Sequence, residues 1–278
     1  LCFYGMIKSK KAYTIHMPAA YTHFAVARET FLRLPQPLQN KIRSPELYFF
    51  GAQGADFCFF YRAFRPSEIN FGRFLHNKGS YGFFRPLLPC AGRDGALFDY
   101  ALGYLTHYAA DCVFHPYVYH LSGKSPVKHS KAEGALDFYF RDRDIKNKPE
   151  EGFEKYFNCP IAPREASSLF MLYALAAARA DRDPLIKEAF LKSIKSYRAY
   201  TRFSARMFAK EHEELLNAER KEWQYPDDKT IVMTDGADQM FDRAVESSIL
   251  LINEFHECLV FGQPLNKDLF GKNFLSGL

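Results

Sequence analysis

Two short runs of the sequence repeat histidine and acidic residues at intervals of four. His107, Asp111 and His115 form the first run, and His129 and Glu133 form the second. An α-helix turns about 100° per residue, so residues four apart lie one above the other on the same face. Each run therefore predicts a stripe of imidazole and carboxylate groups along one helix.

The first stripe lies on a helix that is predicted to be buried, because Leu105, Ala110 and Val113 surround it. Burying an unpaired carboxylate costs several kcal/mol, and a divalent cation supplies the missing partner. Imidazole and carboxylate ligands favour zinc over calcium or magnesium. Any one of these residues alone is equally well explained as a hydrogen-bonded core histidine or a solvated acid, but the complete set favours a metal site.

The residues next to the stripes predict how the two helices meet. Gly123 and Pro126 predict a turn between them, which would let the stripes face each other and supply ligands for two ions. Asp137 continues the second run, either as a ligand or as a residue that holds a ligand histidine in place. His120 lies five residues beyond His115 and is predicted to lie on the surface or in a loop.

Apolar residues recur at helical spacing through most of the chain, and alternating strand patterns are essentially absent. The fold is therefore predicted to be all-α, as a single-domain multi-helix bundle. We predict a poorly organised N-terminal extension over residues 1–16, with translation beginning at Met17, and one helical domain over 17–278 that carries its metal site within 17–140. The main predicted helices cover residues 19–34, a short segment from Pro45, 94–119, 166–182, 183–208 and 236–260.

The composition excludes several classes of protein. The chain has 278 residues, 47% of them hydrophobic and 25% charged, which is typical of a globular protein. Its net charge of +5 is mild, and no lysine or arginine cluster is dense enough to indicate nucleic-acid binding. Polar residues interrupt every long apolar stretch, so no transmembrane segment is predicted. Six scattered cysteines and no recognisable signal peptide favour a cytoplasmic location, without excluding export.

The sequence resembles the zinc-dependent phospholipase C family of bacteria and, more distantly, the zinc-dependent single-strand nucleases. The resemblance extends over residues 17–137. The segments that carry it are Tyr21-Thr22-His23, Gly51-Ala52-Gln53-Gly54-Ala55-Asp56 followed by Phe57, His76 after Gly72, the His107/Asp111/His115 helix, and His129-Ser130-Lys131-Ala132-Glu133.

The resemblance implies an all-helical domain that holds two zinc ions, with a third at His23. Carried over by position, His76, His107 and Asp111 would hold one ion, and Asp111 would bridge to another. The second ion would lie between the ligands of the two helices, namely His115, His129 and Glu133.

The resemblance also implies a catalytic role for Asp56, which would reach the metal pair and act as general base. His23 would bind the third ion together with the mature N-terminal amine. Two positions depart from the family pattern. No tryptophan is present at Leu1, Met17 or Pro18 to serve as the N-terminal ligand, and Ala55 replaces the proline before the motif aspartate.

The predicted function is zinc-dependent hydrolysis of phosphodiester bonds, as phospholipase C-like cleavage of a phospholipid headgroup during transient contact with a membrane surface. The alternatives are a nuclease-like phosphodiesterase and a helical domain that binds zinc without turnover. Aromatic residues near the predicted ligands would either cage a quaternary ammonium headgroup or belong to the core. These residues are Phe57, Phe59, Phe60, Tyr61 and Phe74.

Overall fold

The computed structural model describes residues 20–62, 70–78, 80–147, 161–207 and 212–278, and most of them are helical. The all-α prediction is therefore confirmed. The predicted extension over residues 1–16 and the predicted start at Met17 lie outside the described residues, and the single domain over 17–278 stays a prediction. The α-helices are α1 (Ala20–Arg33), α2 (Gln36–Gln39), α3 (Pro45–Gly51), α4 (Phe71–Lys78), α5 (Ser80–Ala91), α6 (Gly95–Ser122), α7 (Pro126–Asn147), α8 (Pro163–Arg179), α9 (Lys187–Met207), α10 (Ala237–Phe261) and α11 (Lys267–Phe270).

Some elements differ from the sequence-based expectation. Helix α6 continues through Pro116 to Ser122, and α5 contains Pro86 and Pro89, so prolines hid part of the helical pattern. Short 3₁₀ helices cover Asp56–Phe60 and Glu213–Leu215, and a two-residue antiparallel ladder pairs β1 (Trp223–Gln224) with β2 (Val232–Met233). No helix in the described ranges has the length and apolar content needed to cross a bilayer.

Helix α6 runs through the centre of the bundle. Its first turn is capped by Asp94, whose side chain accepts a hydrogen bond from the Ala96 backbone N–H at 2.9 Å. Helices α1, α3, α5, α7 and α10 all pack against it, and most of its residues are buried. The polar stripe on α6 is therefore enclosed by protein.

Helices α3 and α6 cross with their backbones in direct contact. A Cβ atom on Gly103 would lie 1.8 Å from the carbonyl oxygen of Tyr48, and one on Gly51 would lie 2.3 Å from that of Tyr100. Only glycine permits this close approach. The crossing fixes the end of α3, and the 3₁₀ helix that begins at Asp56 follows it after a short turn.

Helix α7 is tied to the start of α1. As predicted, Gly123 ends α6 and Pro126 begins α7, which folds the two helices into a hairpin. The Asp137 carboxylate accepts hydrogen bonds from the backbone N–H groups of Tyr21 and Thr22, at 3.1 and 2.8 Å. Asp137 thus positions the turn that carries His23 by bonding to its backbone and to the Thr22 hydroxyl. Neither predicted role, as a ligand or as a residue that holds a ligand histidine, is found among the described residues.

Candidate metal centre

The Asp111 carboxylate lies at the centre of four histidines. Its Oδ1 is 3.3 Å from both His23 Nε2 and His115 Nδ1. Its Oδ2 is 3.2 Å from His107 Nε2 and 3.7 Å from His76 Nε2. The stripe on α6 therefore has the one-turn spacing that its sequence predicts, and α1 and α4 each add one imidazole to it.

The stripe on α7 faces the end of the stripe on α6. His129 Nε2 lies 3.1 Å from Glu133 Oε1, and His115 Nε2 lies 3.5 Å from the same oxygen. His115, His129 and Glu133 together present ligand atoms within 4.8 Å of one another. This is the group of three that the family resemblance implied for one ion.

Asp56 belongs to a second group, with His76 and His107. Its Oδ1 is 3.1 Å from His76 Nε2 and 3.7 Å from His107 Nε2. The other ring nitrogen of His76, Nδ1, donates to the Gly72 carbonyl at 2.8 Å and so directs Nε2 into the site. A third group joins His23, His107 and Asp111.

The structure thus brings all eight predicted site residues together, although the grouping differs in part from the one carried over by position. Asp56, rather than Asp111, shares a group with His76 and His107. Asp111 is grouped with His23, and it also stands between His107 and His115. The assignment of individual ligands to ions stays a prediction.

Gly54 allows the loop before Asp56 to lie against the imidazole of His107. The residue has φ of 55°, and a Cβ atom here would lie 1.9 Å from His107 Cδ2. The Tyr100 hydroxyl donates to the Gly54 carbonyl at 3.0 Å and holds the loop in place. Both the backbone conformation and the contact distance therefore require glycine.

Several buried oxygens in the site lack a hydrogen-bond partner. Asp56 Oδ2, Asp111 Oδ2 and Glu133 Oε2 make no hydrogen bond to any residue that the structure describes. Leaving such a group unsatisfied costs about 1–3 kcal/mol, and more when it is charged. Bound cations would remove this cost.

The spacing of the ligand atoms suits zinc. Ligands about 2.0–2.1 Å from a tetrahedral zinc ion lie about 3.3 Å from one another. The His–carboxylate separations in the site run from 3.1 to 3.7 Å. Nitrogen and oxygen donors with these separations are suited to zinc, and the ligand atoms of each group lie within 4.8 Å of one another.

Mutual attraction perturbs the pKa values of the ligands. Burial acts to raise the pKa of Asp111, but His107 and His115 hold it well below its ordinary value. Burial acts to lower the pKa of His115, but Asp111 and Glu133 overcome this and raise it to about 9. Burial lowers the pKa of His107, which is fully enclosed. Protons therefore compete with cations for this site, most strongly at His115.

Comparison with models of known families identifies the family of the chain. Residues 22–183, more than half of the chain, match the model for zinc-dependent phospholipase C. The chain belongs to the zinc-dependent phospholipase C family. Its eight candidate ligands all lie within the matched segment. No curated protein and no solved structure matches the chain.

The candidate ligands of this phospholipase C family member open onto one pocket. Six of them line it, namely Asp56, His76, Asp111, His115, His129 and Glu133. The rest of the wall consists of Phe59, Arg73, Asn77, Tyr119 and Leu275. A ligand that enters the pocket therefore meets the metal-binding groups directly.

Most of the aromatic residues proposed as a headgroup cage belong elsewhere in the protein. Of the five residues Phe57, Phe59, Phe60, Tyr61 and Phe74, only Phe59 lines the pocket. Phe57 is buried between Tyr173 and Phe190, and Phe74 stacks on Phe71. For these residues the core alternative is the correct one.

The C-terminal segment forms part of the wall through Leu275, although the sequence placed the metal site within residues 17–140. Phe274 is fully buried, and its ring centroid lies 5.1 Å from that of His76 and 5.9 Å from that of His107. The Tyr108 hydroxyl anchors this segment, because it lies within hydrogen-bond distance of the carbonyl oxygens of Leu269 and Lys272, at 3.1 and 3.2 Å. No local spacing marks Phe274, and it lies outside the segment that matches the family.

We expect Phe274→Ala to lower the affinity for zinc about 10- to 100-fold, as is typical when the support behind a metal ligand is removed. The rings of His76 and His107 would lose the surface that holds them in place. Phe255→Ala is the matched control, because Phe255 is equally buried and packs against Phe270 instead. Both variants should lose about 3–5 kcal/mol of stability. Competition with a chromogenic chelator measures the affinity, and equal affinities in the two variants would contradict this role.

Proposed function

We propose that this family member is a zinc-dependent phosphodiesterase with phospholipase C-like activity. It hydrolyses the phosphodiester of a phospholipid and releases diacylglycerol and the phosphorylated headgroup. The single observation that carries the proposal is the convergence of three His/carboxylate groups on one ligand-lined pocket. Family membership supports the same substrate class.

The groups Asp56/His76/His107 and His115/His129/Glu133 would each hold one zinc ion, and His23 and Asp111, which are grouped with His107, would hold a third. Bound zinc supplies Lewis acidity, lowering the pKa of water and neutralising phosphoryl oxygens. The chain itself has two tasks. It must hold these ligands rigidly, and it must keep other side chains from occupying the positions of water and substrate. Hydrogen bonds behind the ligands, such as that from His76 to Gly72, perform the first task.

Asp56 is the residue best placed to act as the general base. Its Oδ1 lies beside His76, while Oδ2 has no hydrogen bond within the described residues. Asp56 also lines the pocket, where its carboxylate would accept a proton from a water molecule. That water would attack phosphorus in line with the departing alcohol.

The pocket also argues against a purely structural zinc site. Structural zinc sites are closed by protein ligands, whereas catalytic sites keep a position open for water or substrate. Here the ligand groups border a pocket whose wall includes the exposed Asn77. Transient contact with a membrane surface and a cytoplasmic location stay predictions.

The proposal is tested by metal analysis together with one assay. We expect purified protein to contain two or three zinc ions and to hydrolyse p-nitrophenyl phosphodiesters. Prolonged treatment with a chelator should abolish hydrolysis, and added zinc should restore it, whereas added magnesium should not. Bound zinc without hydrolysis of chromogenic diesters, phospholipids or single-stranded DNA would instead support the structural alternative. Hydrolysis of DNA alone would support the nuclease-like alternative.

A further inference from the structure

The pocket contains one positively charged side chain that is not a candidate metal ligand. Arg73 lines the wall on α4, three residues before His76, so the two side chains project from the same face of that helix. The Arg73 backbone N–H donates to the Asn70 side chain at 3.0 Å, and the Arg73 carbonyl accepts from Asn77 Nδ2 at 2.9 Å. The backbone that carries this guanidinium is therefore held in place beside the metal centre.

Among the described residues, no acid forms an ion pair with the Arg73 guanidinium. The described carboxylates that line the pocket are the candidate ligands Asp56, Asp111 and Glu133. Two divalent cations carry four positive charges and would more than offset those three acids. On the rest of the wall, Arg73 is the charged side chain among the described lining residues.

Tyr119 lines the same pocket as Arg73 and is half-buried there. Its phenol hydroxyl is a hydrogen-bond donor.

This wall does not suit a quaternary ammonium headgroup. Such cations bind in cages of several Phe, Tyr or Trp rings, and among the described residues that line this pocket there are two, Phe59 and Tyr119. A guanidinium beside them repels a cation and forms strong paired hydrogen bonds with carboxylate or phosphate. The non-ligand wall is therefore complementary to an anion.

On the basis of the proposed function, we propose that Arg73 selects phosphodiesters whose headgroup carries an additional negative charge. The scissile phosphate occupies the metal centre, and Arg73 binds the anionic group of the headgroup, a carboxylate or a second phosphate. Tyr119 and Asn77 donate further hydrogen bonds. The preferred substrates are therefore anionic phospholipids or related diesters rather than choline lipids.

The test uses the zinc-loaded full chain and three p-nitrophenyl phosphodiesters whose second alcohol is choline, ethanol or glycolate. These substrates share one leaving group and differ in headgroup charge. We expect the wild-type protein to show a higher kcat/KM for the glycolate ester than for the choline ester. Arg73→Met should reduce that ratio about 10- to 100-fold, the range typical of a hydrogen-bonded charge pair. Arg73→Glu should reverse the preference.

Arg93→Met is the matched control, because it removes the same charge at an exposed turn between α5 and α6 that does not line the pocket. This variant should keep the wild-type ratio. An equal loss on all three esters in Arg73→Met would place Arg73 on the shared phosphate and overturn the headgroup assignment. A wild-type preference for the choline ester, or an unchanged ratio in Arg73→Met, would also overturn it.

A binding measurement separates this inference from the proposed function. Calorimetry compares phosphoglycolate with phosphocholine, which share the phosphate and differ in headgroup charge. We expect the wild-type protein to bind phosphoglycolate more tightly, and Arg73→Met to lose the difference. If no ester is hydrolysed but this difference is found, the proposed function fails and the anion site stands. If the esters are hydrolysed and the difference is absent, the proposed function stands and the anion site fails.

Discussion

Replacing Asp56 with asparagine is expected to lower kcat on p-nitrophenyl phosphodiesters by about 10²–10⁴-fold, the usual contribution of a positioned general base. Asparagine keeps the size and the hydrogen-bonding shape of the side chain but is a far weaker base. The group His115/His129/Glu133 does not include Asp56 and should retain its zinc. Steady-state kinetics and zinc content, measured on the same preparation, test both statements.

The control for this variant is Asp99→Asn. Asp99 is also buried, but it accepts hydrogen bonds from the backbone of Arg43 and Ser44 before α3 and does not line the pocket. We expect it to lose stability and to keep its turnover number. Full activity in Asp56→Asn would show that Asp56 is not the base. Loss of all zinc from that variant would assign Asp56 a mainly structural role.

We expect His107→Ala to lose zinc and stability together. His107 belongs to two of the three ligand groups, and its side chain is completely enclosed. Its removal would weaken both groups and leave Asp111 with one imidazole fewer. A ligand present at 1,000 times its Kd stabilises the folded state by about 4 kcal/mol, so weaker zinc binding reduces the protection against unfolding accordingly.

Thermal unfolding with and without added zinc measures this effect. The wild-type Tm should rise with zinc, and the rise should largely disappear in His107→Ala. His120→Ala is the control, because His120 lies on the same helix, is exposed and belongs to none of the ligand groups found among the described residues. A normal zinc content and a normal zinc-dependent rise in His107→Ala would remove this residue from the metal centre.

The parts of the site that the sequence predicted on physical grounds are those that depend on local geometry. The four-residue spacing of His107, Asp111 and His115 has a meaning only on a helix, and a helix is a local structure. The same holds for His129 and Glu133, whose helix is joined to the first by a recognisable turn. The four-residue periodicity therefore predicted both stripes, and the turn between the two helices predicted that the stripes lie close together.

The remaining ligands could not be derived in this way. His23, Asp56 and His76 lie on three separate elements and share no spacing, so only the family resemblance indicated them. Neither periodicity nor the family resemblance indicated Phe274, because its contact with the imidazoles arises from packing between residues that are far apart in the sequence. Helix α5 was missed for a different reason, since its internal prolines break the usual helical signal.

The crossing of α3 and α6 has a consequence for how the reactive carboxylate is placed. Gly51 and Gly103 bring the backbones of α3 and α6 into contact, so backbone atoms rather than side chains determine where the Asp56 loop begins. Core side chains around this crossing could be exchanged for others of similar volume while the loop kept its origin. The separation between Asp56 and the imidazoles on α6 is therefore insulated from most repacking of the interior, and it is vulnerable to a single added methyl group at either glycine.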